Sequence, residues 1–175
     1  CAEGEYEVSP ASETANTECA ARFLIPGVVE AEDYGLGGAG IHYHDASPGN
    51  AGGAYRADDV DILGMEEGFV VPMQSGEWLE YPIHVQESAT YQLWVYAHSD
   101  ELGRHLSVTL DGHPVALRVP LSTEAYALAL GPVDLEAGDH SVRVLGGVRD
   151  GVVFDALALV LTVCTDEDGD GVCAD

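Results

Sequence analysis

Acidic residues recur at alternate positions near the end of the chain. Asp166, Asp168 and Asp170 are followed by Gly171, which gives the spacing D-x-D-x-D-G. In a loop of this kind the first, third and fifth carboxylates converge on a calcium ion, and the glycine permits the sharp turn. The usual acid at the twelfth position is missing, and Asp175 is available in its place. The spacing predicts a calcium site in residues 164–175, with a solvated acidic tail as the alternative.

A single carboxylate interrupts a long apolar segment. Residues 151–163 read GVVFDALALVLTV, with Asp155 as the acid inside the run. Such a run predicts a central strand that is buried on both faces. Burying an unpaired carboxylate is costly, so Asp155 must bind a cation or pair with an arginine. Arg56 and Arg143 are the candidates for the second case.

The charge balance excludes several classes of partner. The 175 residues include 31 Asp and Glu against 6 Lys and Arg, for a formal net charge of -25. A chain this acidic repels the phosphates of nucleic acids and of anionic lipid surfaces. The sequence has no apolar run of the roughly 18 residues that a membrane span needs. The excess acid indicates a well-solvated surface together with divalent-cation binding.

The four cysteines, Cys1, Cys19, Cys164 and Cys173, lie at the two ends of the chain. This placement predicts two terminal disulfides, Cys1–Cys19 and Cys164–Cys173, although four cysteines permit three pairings. A zinc site is the alternative, but no C-x-x-C pair supports it. Disulfides persist in oxidising compartments, so we expect an extracellular or cell-surface protein.

The composition divides the chain into three parts. Residues 1–22 are polar, residues 23–163 carry short apolar runs between turn signals, and residues 164–175 are acidic. The middle part predicts about ten strands, among them 53–62 and 90–98. Many short strands at this spacing are typical of an all-β jelly roll, a sandwich of two antiparallel sheets.

One predicted strand carries a row of rings. In the segment YQLWVYAH, alternation points Tyr91 and its alternate neighbours towards the core. Trp94, Tyr96 and His98 then share the opposite face. Large side chains in such a row indicate a contact surface. The row is either a platform for a glycan or a surface that another part of the chain or a second copy covers.

Several motifs together resemble family 6 carbohydrate-binding modules. They are VVEAEDY (28–34), YHDASPGNAGGAYRADDVDI (43–62), SGEWLEYPIHV (75–85) and VFDALAL (153–159). The resemblance covers residues 26–163 and implies a jelly roll with a structural calcium that binds sugars without catalysis. The N-terminal segment is similar to small cysteine-rich extracellular repeats, and the tail resembles a thrombospondin type 3 repeat.

The resemblance also implies site residues. Glu30 and Glu32, two apart on one strand, match the calcium-binding glutamates, and Asp155 matches the acid of the last strand. Backbone carbonyls near Tyr55 and Arg56 would complete the shell. The family's sugar cleft carries over less well, because Val153 stands where the family has asparagine. Tyr126 matches one of its aromatic residues.

Two functions follow as expectations. The first is a secreted, non-catalytic, calcium-stabilised module that binds extracellular polysaccharide. The alternative is a structural subunit of a fibre or surface layer, with copies of the chain in contact through termini and calcium. A glycosidase is a weaker third interpretation, because its paired carboxylates would be Glu77 and Glu80, which belong to a strand motif that non-catalytic modules share.

Overall fold

The computed structural model describes residues 1–2, 5–9, 18–120 and 127–162. Several predicted residues lie outside this part of the chain: the proposed tail ligands Asp166, Asp168, Asp170 and Asp175, the Cys164–Cys173 pair, and Tyr126.

Strands make up almost all the regular structure of the described residues. In chain order they are β1 (Glu5–Ser9), β2 (Glu18–Ala21), β3 (Phe23–Ile25), β4 (Gly27–Glu30), β5 (Tyr43–His44), β6 (Leu63–Gly64), β7 (Phe69–Met73), β8 (Trp78–Val85), β9 (Ala89–His98), β10 (His105–Leu110), β11 (His113–Pro120), β12 (Ala127–Leu135), β13 (Gly138–Gly146) and β14 (Val152–Leu161). A single 3-10 turn, Ala31–Asp33, follows β4.

Two sheets pack face to face and confirm the predicted all-β sandwich. The first sheet has the strand order β11-β10-β13-β8-β3, with β5 also beside β8. The second has the order β12-β9-β14-β7-β6, with β4 also beside β14. The inner faces supply one apolar core that includes Tyr81, Tyr91 and Phe154. One pairing differs from the prediction of antiparallel sheets, because β3 runs parallel to β8.

The long apolar run forms the central strand β14, as predicted. Its residues from Ala156 to Leu159 are buried on both faces. On one side β14 pairs with β9 along its whole length. On the other side it pairs first with β7, through Val152–Phe154, and then with β4, through Ala156–Leu159. The neighbour therefore changes at Asp155.

The N-terminal segment forms a docked hairpin that the sequence analysis did not predict. β1 and β2 pair with each other, and the predicted Cys1–Cys19 disulfide is confirmed. Tyr6 anchors the hairpin to the sandwich. Its hydroxyl accepts a hydrogen bond from the Leu36 backbone N–H at 2.6 Å, and its ring meets the His42 ring edge-on at 5.0 Å between centroids.

The predicted strand 53–62 is wrong, because this segment is a loop between β5 and β6. Asn50 replaces the missing ladder of backbone hydrogen bonds. Its side-chain amide donates to the Ala54 and Arg56 carbonyls at 2.9 and 3.0 Å, while its oxygen accepts from the Ile62 N–H. A side chain that satisfies backbone groups in this way stabilises an irregular segment without strand pairing.

Candidate functional site

An acidic cluster lies beside β14, at the point where the neighbouring strand changes from β7 to β4. Asp155 is the extra residue of a bulge between Phe154 and Ala156 in the pairing with β9. Glu30 is the last residue of β4 and lies opposite Ala156. The 3-10 turn that follows carries Glu32 and Asp33. The end of β4, the turn and the bulge thus bring four carboxylates to one place.

The prediction that Glu30 and Glu32 share one strand is wrong. The strand ends at Glu30, and the backbone turns into the 3-10 helix at Ala31. Glu30 is exposed, whereas Glu32 is only 5 % exposed. Alternation along a strand therefore does not position these carboxylates, and the turn does. Asp33, which directly follows Glu32, was not among the predicted ligands.

The electrostatics of this cluster favour a cation. Burial raises the pKa of Glu32 to about 7, and the charges of Asp33, Glu30 and Asp155 contribute to the rise. Burial and the Asp155 charge likewise raise the pKa of Glu30. Within the described part of the chain, the buried Oε2 atom of Glu32 has no hydrogen-bond partner. A backbone hydrogen bond partly offsets the rise, but an ionised Glu32 still has one buried oxygen without a partner, which a bound cation would compensate.

Neither arginine proposed as an ion-pair partner neutralises Asp155. The Arg56 guanidinium lies 4.0 Å above the Tyr34 ring and donates to the Tyr34 carbonyl at 2.7 Å. The Arg143 guanidinium binds Glu80 at 2.6 Å. Among the described residues, Asp155 makes no ion pair within 4.0 Å. The expected burial of its carboxylate is wrong, because Asp155 is only partly buried and lines a groove, where water also solvates it.

The loop around Tyr55 and Arg56 packs against the acidic turn. The Tyr55 hydroxyl donates a hydrogen bond to Asp33. Tyr55 has a φ of 64°, an unusual conformation for a residue with a side chain, and the Arg56 N–H donates to the Ala54 carbonyl at 2.7 Å. The segment predicted to contribute backbone carbonyls is therefore next to the carboxylates.

The predicted calcium ligands do not form a compact trio of donor atoms. Over residues 1–2, 5–9, 18–120 and 127–162, the one trio of His, Cys, Asp or Glu donors within 4.8 Å of one another is Cys1, Glu5 and Cys19, whose cysteines form the disulfide. Glu30, Glu32 and Asp155 therefore do not all lie within 4.8 Å of one another.

The predicted row of rings lies on the outer face of the second sheet. Along β9, Tyr91 and its alternate neighbours are buried in the core, while Trp94, Tyr96 and His98 are partly exposed. Directly paired residues on the neighbouring strands share this face with them. They are Ala129 and Ala158 beside Trp94, Ala127 and Ala156 beside Tyr96, and Val153 beside His98.

A groove of about 490 Å³ adjoins the His98 end of this row. Val70, His98, Val153 and Asp155 line it together with the turn between β6 and β7, which contributes Met65, Glu66 and Glu67. The groove therefore shares Asp155 with the acidic cluster. It also contains Val153, the position where the resemblance implies an asparagine.

A second groove, of about 1000 Å³, lies among loops at one end of the sandwich. Asp150 connects its walls, because its carboxylate accepts from the Ser75 N–H at 2.8 Å and its carbonyl accepts from Arg104 Nε at 2.5 Å. Leu102 and Val148 on its rim are 83 % and 73 % exposed. No motif in the sequence predicted this groove.

The two carboxylates considered for glycosidase chemistry have structural roles. Glu77 is 4 % exposed and accepts hydrogen bonds from the Gln74 and Ala46 N–H groups at 2.7 and 3.1 Å. Burial alone would raise the pKa of Glu80, but the His42 ring 3.5 Å away and the hydrogen-bonded Arg143 guanidinium hold it below its ordinary value. Burial raises the pKa of Glu77, but both of its oxygens accept backbone N–H groups, and the pKa of Glu80 is lowered, so neither is the free, raised-pKa carboxyl of a general acid.

Comparisons with known proteins identify the fold. No family model matches the sequence, and no curated protein matches it. Among solved structures, the chain is similar to the C-terminal CBM6 of LamC, a marine laminarinase from Zobellia galactanivorans, with a TM-score of 0.56 and 20% identity over 76% of this chain and 97% of that one. It is also similar to CBM6-3 of Clostridium stercorarium in complex with cellobiose, with a TM-score of 0.56 and 14% identity over 81% and 98%.

The same sandwich occurs within enzymes. The chain is similar to part of the GH26-CBM35 β-(1,4)-mannanase of Podospora anserina, with a TM-score of 0.53, 16% identity and coverage of 78% of this chain but 28% of that one. Among the described residues, no helix is long and apolar enough to cross a membrane. At these identities the similarity establishes the fold, which is the β-sandwich of carbohydrate-binding modules.

Proposed function

We propose that this chain is an extracellular, non-catalytic module that binds polysaccharide and is stabilised by calcium. The observation that carries the proposal is the row of Trp94, Tyr96 and His98 on the outer face of a carbohydrate-binding-module sandwich. Sugars have apolar ring faces that pack on aromatic side chains and hydroxyl groups that need polar partners. Glu77 and Glu80, both engaged in structural contacts, support a role without catalysis.

The test is a binding panel with the folded protein. Affinity electrophoresis against soluble glucans, xylans and mannans, together with depletion assays on the insoluble polymers, covers the main neutral classes. We expect retardation or depletion by at least one of them. A protein that is folded by circular dichroism and binds none of these polymers contradicts the proposal.

Calcium is proposed for the acidic cluster of Glu30, Glu32 and Asp155. The support is the buried, unpartnered Oε2 of Glu32, beside which the charges of Asp33, Glu30 and Asp155 lie. Carbonyls of the adjacent loop at Tyr55 and Arg56 would supply further oxygens. When bound, calcium would neutralise the cluster and connect β4, the turn and the bulge of β14.

Calorimetric titration of the chelator-treated protein with calcium tests this site. We expect Glu32→Gln to weaken binding, because it removes a charged ligand. Glu77→Gln is the matched control, since Glu77 is an equally buried glutamate whose oxygens already accept backbone N–H groups. Equal calcium affinity in wild-type protein and Glu32→Gln would remove Glu32 from the site.

A further inference from the structure

We propose that the larger groove docks the C-terminal segment of a second copy of this chain, residues 163–175, so that copies join end to end. This groove lies among the β7–β8, β9–β10 and β13–β14 loops, directly before β14. The contact uses none of the rings or carboxylates on which the proposed function rests. Self-association and polysaccharide binding can therefore be tested separately.

Hydrogen bonds hold the loops of the groove to one another. Arg104 Nε donates to the Asp150 carbonyl at 2.5 Å, and the Asp150 carboxylate accepts from the Ser75 N–H at 2.8 Å. The buried Ser99 hydroxyl donates to the Gly151 carbonyl at 2.6 Å. All three loops are thus connected, so a segment that docks here meets a surface that is already ordered and pays little further entropy on this side.

Two apolar side chains lie on the rim of the groove. Leu102 is 83 % exposed and Val148 is 73 % exposed, which makes them the most exposed large hydrophobic residues in the described part of the chain. They come from different loops and line the same groove. A partner that covers both removes apolar surface from water, and this burial favours association.

One arginine of the groove has a charge without a partner. The chain has six arginines and no lysine. Arg149 is exposed and makes no ion pair or hydrogen bond with another described residue. The other arginines whose side chains are described are all engaged: Arg22 with Asp139, Arg56 with Tyr34, Arg104 with Glu101 and Arg143 with Glu80. An occupant with carboxylates beside apolar groups would complement this groove.

The acids of the groove do not cancel the attraction of Arg149. Glu101 pairs with Arg104, and Asp150 accepts the Ser75 N–H. The groove is therefore close to neutral within a chain whose net charge is -25. At physiological salt the screening length is about 8 Å, so an incoming carboxylate responds to Arg149 more than to acids elsewhere on the surface.

The C-terminal segment has the matching chemistry. It reads VCTDEDGDGVCAD and contains five acids, two valines and no basic residue. Its carboxylates can pair with Arg149, while a valine can cover Leu102 or Val148.

The position of this segment along the chain favours a second copy as its source. Gly151 lines the groove and directly precedes β14, whereas the segment begins after Thr162, beyond the other end of β14. At about 3.3 Å per residue, a strand of ten residues separates the two ends by about 30 Å. The segment of one copy therefore leaves the sandwich at the end opposite its own groove. Such a contact joins different surfaces of two copies, so further copies can add at both ends.

Sedimentation velocity of the full chain at physiological salt tests the association. We expect the average mass of wild-type protein to rise with concentration between about 10 µM and about 1 mM, the range of a small interface. Arg149→Ala should weaken association about fivefold, the upper range for an exposed ion pair. Leu102→Ala should weaken it about tenfold, because it removes the most exposed apolar side chain of the rim.

Ile41 provides matched controls for both substitutions. It is 51 % exposed and lies beside the N-terminal hairpin, away from the groove. Ile41→Glu lowers the net charge by one, as Arg149→Ala does, and Ile41→Ala shortens an exposed aliphatic side chain, as Leu102→Ala does. Both controls should associate like wild type. All these positions are exposed, and thermal melts report the folding of each variant.

A mixing experiment identifies the two surfaces that meet. One variant replaces Asp166, Asp168 and Asp170 with asparagine, so it keeps the groove and loses most of the charge of the segment. The other combines Arg149→Ala with Leu102→Ala, so it keeps the segment and loses the groove. Each variant alone should stay monomeric. Their equimolar mixture should form a one-to-one dimer and nothing larger, because it contains one intact pair of surfaces.

Three outcomes would overturn the proposal. Wild-type protein could stay monomeric up to about 1 mM, a concentration at which even weak contacts are populated. The Arg149→Ala and Leu102→Ala variants could associate as tightly as wild type. The three-asparagine variant could still form polymers by itself, which would assign the groove to a different surface of the second copy. Polysaccharide binding by the monomeric variants is measured in parallel, so the proposed function can fail or stand on its own result.

Discussion

Substituting Glu32 by glutamine should have opposite effects with and without calcium. Without calcium, an ionised Glu32 is held in a buried position among Glu30, Asp33 and Asp155. Its pKa rises from 4.5 to about 7, and each unit corresponds to 1.36 kcal/mol, so ionisation in the folded state costs about 3 kcal/mol. Glutamine is nearly isosteric and removes this penalty.

The contribution of Glu32 to the free energy of unfolding depends on pH. The unfolded chain releases the Glu32 proton near pH 4.5 and the folded chain near 7, so the unfolded state binds fewer protons between these values. The stability of the calcium-free protein should therefore fall as pH rises through this window, with the full penalty present above it. At about pH 8, Glu32→Gln should be more stable than wild type by up to roughly 3 kcal/mol.

Calcium should reverse this order. At about 1,000 times its dissociation constant, a ligand that binds only the folded state adds about 4.1 kcal/mol of stability, which exceeds the penalty of about 3 kcal/mol. Wild-type protein gains this contribution, whereas Glu32→Gln has lost a charged ligand and gains less. Urea unfolding followed by tryptophan fluorescence, in chelator and in excess calcium, measures both differences.

Glu77→Gln provides the matched comparison, because it should destabilise the protein equally in chelator and in calcium. Its carboxylate accepts N–H groups from Gln74 and Ala46 and has no place in the acidic cluster. If Glu32→Gln also destabilises the protein by the same amount in both conditions, Glu32 has an ordinary structural role and the reasoning from its burial is refuted.

Three further predictions concern the rest of the molecule. Tyr6→Phe should keep the packing of the N-terminal hairpin but lose about 1 kcal/mol, with faster hydrogen exchange at the Leu36 amide, whereas Tyr6→Ala should cost about 3 kcal/mol or more. Burial alone would lower the pKa of His140, but its hydrogen bond to Asp111 raises the pKa overall. The His140–Asp111 pair should therefore stabilise the fold at low pH and lose this effect as pH rises through the pKa of His140. Asp111→Asn should lower that pKa in an NMR titration. Raising sodium chloride should increase the melting temperature of calcium-free protein, because screening weakens the repulsion within a net charge of -25; an unchanged melting temperature would contradict this.

The spacing of apolar residues predicted the strands whose formation depends on local sequence alone. The run at 151–163 corresponds to β14, and the alternation at 90–98 corresponds to β9, including which face is buried. Both segments have many apolar residues at the spacing of a strand, so burial and local preference agree. The Cys1–Cys19 pair could be proposed because both cysteines lie in one short polar segment.

The remainder depended on long-range contacts that no local pattern contains. Residues 53–62 alternate like a strand, yet the Asn50 side chain satisfies their backbone groups and keeps them as a loop. The acids Glu30 and Asp155 could be named from the sequence and its family resemblance. Their approach depends on β4 ending opposite the bulge of β14, which is a property of strand pairing between distant segments.

The pairing of β9 with β14 has a mechanical consequence. The strand that carries Trp94 is bonded along its length to the strand that leads to residue 162, from Val153 opposite His98 to Leu161 opposite Tyr91. Tension between a polymer held at Trp94 and the chain beyond residue 162 would act along this ladder. Its hydrogen bonds would then share the load simultaneously instead of opening one after another. Under hydrodynamic drag the module would therefore resist unfolding, and it would not detach from the polymer by that route.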